Sequence, residues 1–176
     1  KLLRAAVETA THARSEESFR LAVDRAFTLD GVGTVVTGTV HAGRVDVGDE
    51  LQLVPGNRRA RVRSLHAQNR AVTQALAGQR CAVALAGVDK REVERGQWLV
   101  RPDMAMVSDR MDVQLTLWHG ESRALRSGTS VHVHLGSASG LASVAVLDPP
   151  VIEPGQTGRA QLVLRQALGA WHGDRV

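Results

Sequence analysis

The chain has 176 residues, 43% of them hydrophobic, enough for one core of ordinary size or two small ones. Its one cysteine, Cys81, excludes an intrachain disulfide framework and any multi-cysteine zinc or iron–sulfur site. The formal net charge of +4 is carried almost wholly by arginine, with only two lysines (Lys1 and Lys90), and gives a weak push towards a nucleic-acid partner.

Residues 1–12 place Leu2, Leu3, Ala6, Val7 and Ala10 close to one helical stripe, and residues 11–18 are polar and aperiodic. A helix remnant followed by a linker is therefore expected, as in a piece of something longer. No run approaches the roughly eighteen apolar residues of a membrane span, and no secretory signal opens the chain, so a cytoplasmic setting is the default.

From Phe19 onward the pattern is strand and turn. Residues 20–27 alternate with a period of two, Asp30-Gly31 marks a tight turn, and residues 34–44 are rich in β-branched side chains. Further strands are expected at residues 50–54, 60–67, 79–86 and 97–100, with glycine-bearing turns between them. Arg101-Pro102-Asp103 interrupts the pattern and marks a domain boundary. A second block follows, with strands at residues 110–117, 130–136, 141–147 and 158–164 and a last fragment at residues 174–176. The expected class is all-β, built from two consecutive small antiparallel β-barrels at residues 19–102 and 103–176.

Little of this supports a self-sufficient active site. Gly31-Val32-Gly33-Thr34 lacks the Lys-Ser/Thr pair and the following helix of a phosphate loop, and reads as a hairpin turn. His132 and His134 share one strand face, but no third ligand presents itself, so no metal site is expected. The serines lie in turns and lack the strand-to-helix elbow of a hydrolase. Cys81 lies in an apolar run and reads as a small buried hydrophobe.

Three charges stand out because they sit in strands expected to be largely buried: Asp24, Arg25 and Arg80. A buried arginine needs a partner, since an unpaired interior charge is costly. Two readings stay open. The trio is either a structural ion pair, or an anion-binding pocket in which the arginines hold a negative ligand and Asp24 orients them or binds an amine. Adjacent strand residues face opposite ways, so Asp24 and Arg25 share a pocket only where a bulge or strand end intervenes.

Taken together, VGTVVTGTV, GRVDVGDEL, VRSLHAQN, AGQRCAVALAG and RGQWL resemble domain 2 of the translational GTPases related to elongation factor Tu. Within that group, VDRAFT, LHAQN and AGQRCAVALAG are similar to the selenocysteine-specific elongation factors, and HVHLGSASGLASVAVLD is similar to their domain 3 barrel. The resemblance covers residues 19–176. It implies a fragment that binds selenocysteinyl-tRNA, with Asp24, Arg25 and Arg80 at the aminoacyl end and His66 as a rim residue. Arg25 and Arg80 would favour the ionised selenolate over the neutral hydroxyl of serine. Arg123, Arg126 and Arg159 are the implied contacts to the tRNA backbone.

The resemblance also assigns residues 1–12 to the tail of a GTPase domain and stops the chain inside the last barrel strand. GxxxxGK[ST] and Asn-Lys-x-Asp elements do not occur in the sequence. GTP and Mg are accordingly expected of the parent protein and not of this fragment, which is expected to be no enzyme by itself. The ribosome and a selenocysteine-insertion mRNA element are implied partners of the parent. A general aminoacyl- or initiator-tRNA carrier is the first alternative. A flavin- or sugar-binding barrel is the second, disfavoured because Phe, Trp and Tyr are so few.

Overall fold

A computed structural model describes residues 17–176; the helix expected at residues 1–12 lies outside the described residues. The chain divides into two compact units, with the main division between Met106 and Val107.

The first unit is built from nine strands: β1 (Arg20–Leu29), β2 (Gly33–Ala42), β3 (Arg44–Asp46), β4 (Glu50–Val54), β5 (Arg58–Ala67), β6 (Arg70–Val72), β7 (Gln74–Leu76), β8 (Arg80–Ala86) and β9 (Trp98–Val100). Six of them close a barrel in the order β4-β9-β1-β2-β8-β5, with β5 returning to pair with β4. Closure removes the edges that an open sheet would expose. The short strands β3 and β7 pair separately, and β6 hangs antiparallel on β5. Alternate residues turn inward and fill the barrel with Leu21, Val23, Val36, Leu51, Leu65 and Leu99, all at most 1% exposed.

Turn chemistry sets the connections. Gly31 at φ 74° and Gly33 at φ 96° let β1 reverse into β2, the hairpin expected there. Gln68 and Asn69, at φ 51° and 60°, form the turn from β5 into β6.

The second unit contains β10 (Ser108–Thr116), β11 (Ser130–Leu135), β12 (Ala138–Asp148) and β13 (Thr157–Leu168). They form one antiparallel sheet in the order β10-β13-β12-β11, and Leu125 bridges Ile152 beside it. Its buried face carries Met111, Val133, Leu135, Val144, Ala160 and Leu162.

Two expectations need correction. Residues 174–176 form no strand: the segment is a turn in which Asp174 accepts from the Trp171 backbone N–H at 2.9 Å. The strands β6 and β7 were not expected, because three residues are too few to show a period.

Candidate functional site

The three conspicuous charges lie on the outside of the first barrel, not within it. Arg80 is 58% exposed at its side chain, Asp24 is 29% exposed, and Arg25 is exposed. The expectation of interior charges fails for a specific reason. In β8 the core-facing residues are Cys81, Val83 and Leu85, whereas the outward positions are Arg80, Ala82, Ala84 and Ala86. Alanine is apolar but small, so it sits on an outward face while the sequence reads as a continuous apolar run.

The question of how Asp24 and Arg25 share a face is answered by a bulge. Val23 pairs with Gly38 and Arg25 with Thr37, so Asp24 is an extra residue on β1 with no counterpart on β2. Val23 points into the core, and both charged residues that follow it stand outside. Ala26 then returns to the core side.

The bulge gives Asp24 two partners from two different strands. Thr37 Oγ1 donates to Asp24 Oδ1 at 2.6 Å. Arg80 donates to Asp24 Oδ2 through Nε at 3.1 Å and Nη2 at 2.8 Å. Burial by itself raises the Asp24 carboxyl. The hydrogen bonds from Thr37 and Arg80, with the charges of Arg80 and Arg25, outweigh it and hold the group below the ordinary carboxylate value of 3.8. Asp24 is therefore ionised at neutral pH, and three of its roughly four lone-pair sites are engaged.

Gly38 makes the close approach of β1 and β2 possible. A Cβ there would lie 2.1 Å from the Ala22 carbonyl oxygen and 2.6 Å from Leu21 Cδ2. No side chain fits without moving β1, and β1 carries Asp24.

Register places the remaining residues. Arg25, Thr37, Ala82 and His66 stand opposite one another across β1, β2, β8 and β5. Directly opposed residues share a face, so His66 is on the same outward surface. Arg80 is its diagonal neighbour, about 7–8 Å away between backbones. Among the described residues no hydrogen bond ties His66 or Arg25 to the Asp24–Arg80 pair. Thr37 was missed by sequence reasoning: it reads as an ordinary β-branched strand residue, and only the register shows its hydroxyl reaching the bulge.

The arginines expected at the backbone of an RNA lie in the second unit. Arg123 and Arg126 are exposed between β10 and β11. Arg159, on β13, is paired with Asp148 at 3.2 Å, both side chains being largely exposed. Among the described residues no group of three or more His, Cys, Asp or Glu could hold a metal ion, and no helix is long and apolar enough to cross a membrane.

Two family models match consecutive parts of the chain. One is described as Elongation factor Tu domain 2, over residues 33–100. The other is described as Selenocysteine-specific elongation factor, beta-barrel domain, over residues 108–176. The selenocysteine-specific elongation factor of Desulfomicrobium baculatum is 40% identical over 162 residues, covering 92% of this chain and 26% of that protein. The chain belongs to the selenocysteine-specific elongation factor family. The Escherichia coli (strain K12) member is also 40% identical, over 140 residues, or 79% of this chain and 22% of that protein. A crystal structure of a bacterial selenocysteine-specific elongation factor, EF-Sec, superposes with a TM-score of 0.81 at 25% identity, covering 98% of this chain and 27% of that one. The chain thus spans about a quarter of the length of these family members.

Proposed function

We propose that this segment belongs to an elongation factor that carries selenocysteinyl-tRNA, and that the outward face around the β1 bulge receives the selenocysteinyl end. The observation that carries this reading is the bulge itself. It brings Asp24, Arg25 and Arg80 to one surface, with Asp24 and Thr37 holding Arg80 in place. A selenol ionises well below the thiol value of about 8.5, so at neutral pH the side chain is an anion, whereas that of serine is neutral. Two guanidinium groups on one face of the barrel favour the anion. A unit charge pair at 4 Å is worth about 4 kcal/mol at an effective dielectric of 20 before desolvation. Half of that exceeds a tenfold preference, since about 1.4 kcal/mol is a factor of ten.

In this reading Asp24 is a positioning residue. With both oxygens engaged by Thr37 and Arg80, it orients the arginine, and at most one acceptor site is left for an aminoacyl amine. His66 stands at the rim on the same face. The second unit supplies Arg123, Arg126 and Arg159 to phosphates of the acceptor and T stems, contacts that carry no sequence information.

GTP and magnesium have no place among this chain's residues, which include neither a phosphate loop nor a guanine-recognition element. GTP hydrolysis, ribosome delivery and contact with a selenocysteine-insertion mRNA element are assigned to the longer protein that would contain this segment.

The test is competition between selenocysteinyl-tRNA and seryl-tRNA for a complete factor carrying this segment, with GTP, before and after Arg80→Ala. The expected result is that the variant loses most of its preference for selenocysteinyl-tRNA. A preference that survives unchanged sinks the selenolate assignment and favours a general aminoacyl-tRNA carrier.

A further inference from the structure

A second set of arginines lies on β5, away from the bulge. Arg59, Arg61 and Arg63 flank the buried residues Ala60 and Val62, and all three are exposed. Arg59 is neutralised by Glu50, 2.9 Å away, although Glu50 stands opposite Arg61 in register. Arg61 and Arg63 are held differently. Arg61 Nε donates to the Gly48 carbonyl at 3.2 Å, and Arg63 Nη1 donates to the Val32 carbonyl at 3.0 Å. Among the described residues neither has a carboxylate partner.

This arrangement orders two cations without neutralising them. A guanidinium carries five N–H donors, and each of these uses one on a neutral carbonyl. The rest, with the full positive charge, face solvent from side chains whose direction is already set. Arg63 is the extra residue of a second bulge, between Val62 and Ser64. Beside it, Ala84 and Ala86 of β8 stand opposite Ser64 and Arg61, Ala84 being buried and Ala86 half-buried. The two guanidinium groups reach to opposite sides of β5, Arg61 to the Gly48 carbonyl on the β4 side and Arg63 to the Val32 carbonyl beyond β8, so each presents its charge separately.

We propose that Arg61 and Arg63 form a second RNA-contacting site on the outward face of β5, each taking one backbone phosphate. Arg61 is opposite Ala86, at the far end of β8 from Arg80. Ala86 lies six positions along β8 from Arg80, roughly 20 Å, so one phosphate cannot serve both sites. The proposal rests on the reading above only in taking the polyanion to be RNA. No aromatic side chain lies on the adjoining positions of β5 or β8, so the contact is to backbone and not to bases.

The experiment is binding of the 176-residue chain to a fully paired RNA duplex without any aminoacyl group, between 50 and 200 mM salt. The Arg61→Gln/Arg63→Gln variant keeps an N–H for each carbonyl and removes both charges. Its salt slope is expected to fall by roughly two, and its affinity ratio across that salt range by about tenfold. Arg61→Lys/Arg63→Lys restores the slope, and Arg110→Gln, which removes one charge from β10 where Arg110 contacts Gln161, leaves it unchanged. If the double glutamine variant does not fold, each single variant is expected to remove about half of the change. The proposal is overturned if the glutamine variants keep the original slope, if Arg110→Gln lowers it equally, or if the unaltered chain does not bind the duplex at 50 mM salt. It is overturned as well if the lost affinity is for anionic vesicles and not for the duplex. No arm contains selenocysteine, so failure here leaves the competition test of the aminoacyl site standing.

Discussion

Arg80 reaches across β2 to Asp24, 56 residues away in sequence, and places Nε and Nη2 at 3.1 and 2.8 Å from a single carboxylate oxygen. The pair contributes little to stability, because Arg80 is 58% exposed and exposed ion pairs are worth at most about 1 kcal/mol. Arg80→Ala should therefore leave the unfolding free energy within about 1 kcal/mol of the original while abolishing most selectivity. Urea unfolding beside tRNA competition checks this; a large loss of stability with selectivity intact would mark the pair as structural.

The depressed Asp24 carboxyl makes a pH-dependent prediction with a definite sign. Its folded-state value lies below 3.8, so its contribution is present above the unfolded value and is lost as pH falls through the folded one. The stability difference between the original chain and Asp24→Asn should hold steady from pH 7 to about 5 and shrink below about 4. Thr37→Val removes the hydroxyl that donates to Asp24 at 2.6 Å and should shift this loss to higher pH. Unfolding curves across that range decide the point, and a difference that grows on acidification contradicts it.

Gly38 is irreplaceable for a steric reason. The nearest obstacle to a Cβ is backbone, the Ala22 carbonyl oxygen at 2.1 Å, which no side-chain rotation relieves. Gly38→Ala should cost about 3 kcal/mol in a denaturant titration, and because β1 must move it should weaken selenocysteinyl-tRNA selectivity as well. A folded, fully stable Gly38→Ala chain would show that β1 and β2 tolerate a wider spacing.

Cys81 is a core residue, 3% exposed, and burial pushes its thiol up to about 11. Since the thiolate is the reactive form, the native chain should resist alkylation at pH 7 to 8 and react only once unfolded in denaturant. Alkylation followed by mass spectrometry tests this, and rapid native labelling would require the β8 wall to open.

The sequence by itself determined what depends on neighbouring residues. Alternation gave away β1 and β10 as strands, glycine and aspartate marked the β1–β2 turn, and the clustering of such signals set the all-β class. Asp24, Arg25 and Arg80 stood out because charge in an apolar pattern is conspicuous, whereas His66 came only from the family resemblance. Of the three-residue strands, β9 was marked by the apolar run after Gly96, whereas β6 and β7 were missed, since three residues cannot display a period.

Tertiary structure decided everything that depends on register. A bulge is a mismatch between two strands, so nothing in β1 alone announces that Asp24 is unopposed and that Arg25 turns outward with it. The outward face of β8 was hidden by its alanines, which read as core. The role of Thr37 and the need for glycine at position 38 follow from close approaches between strands, and those distances exist only once the barrel has closed.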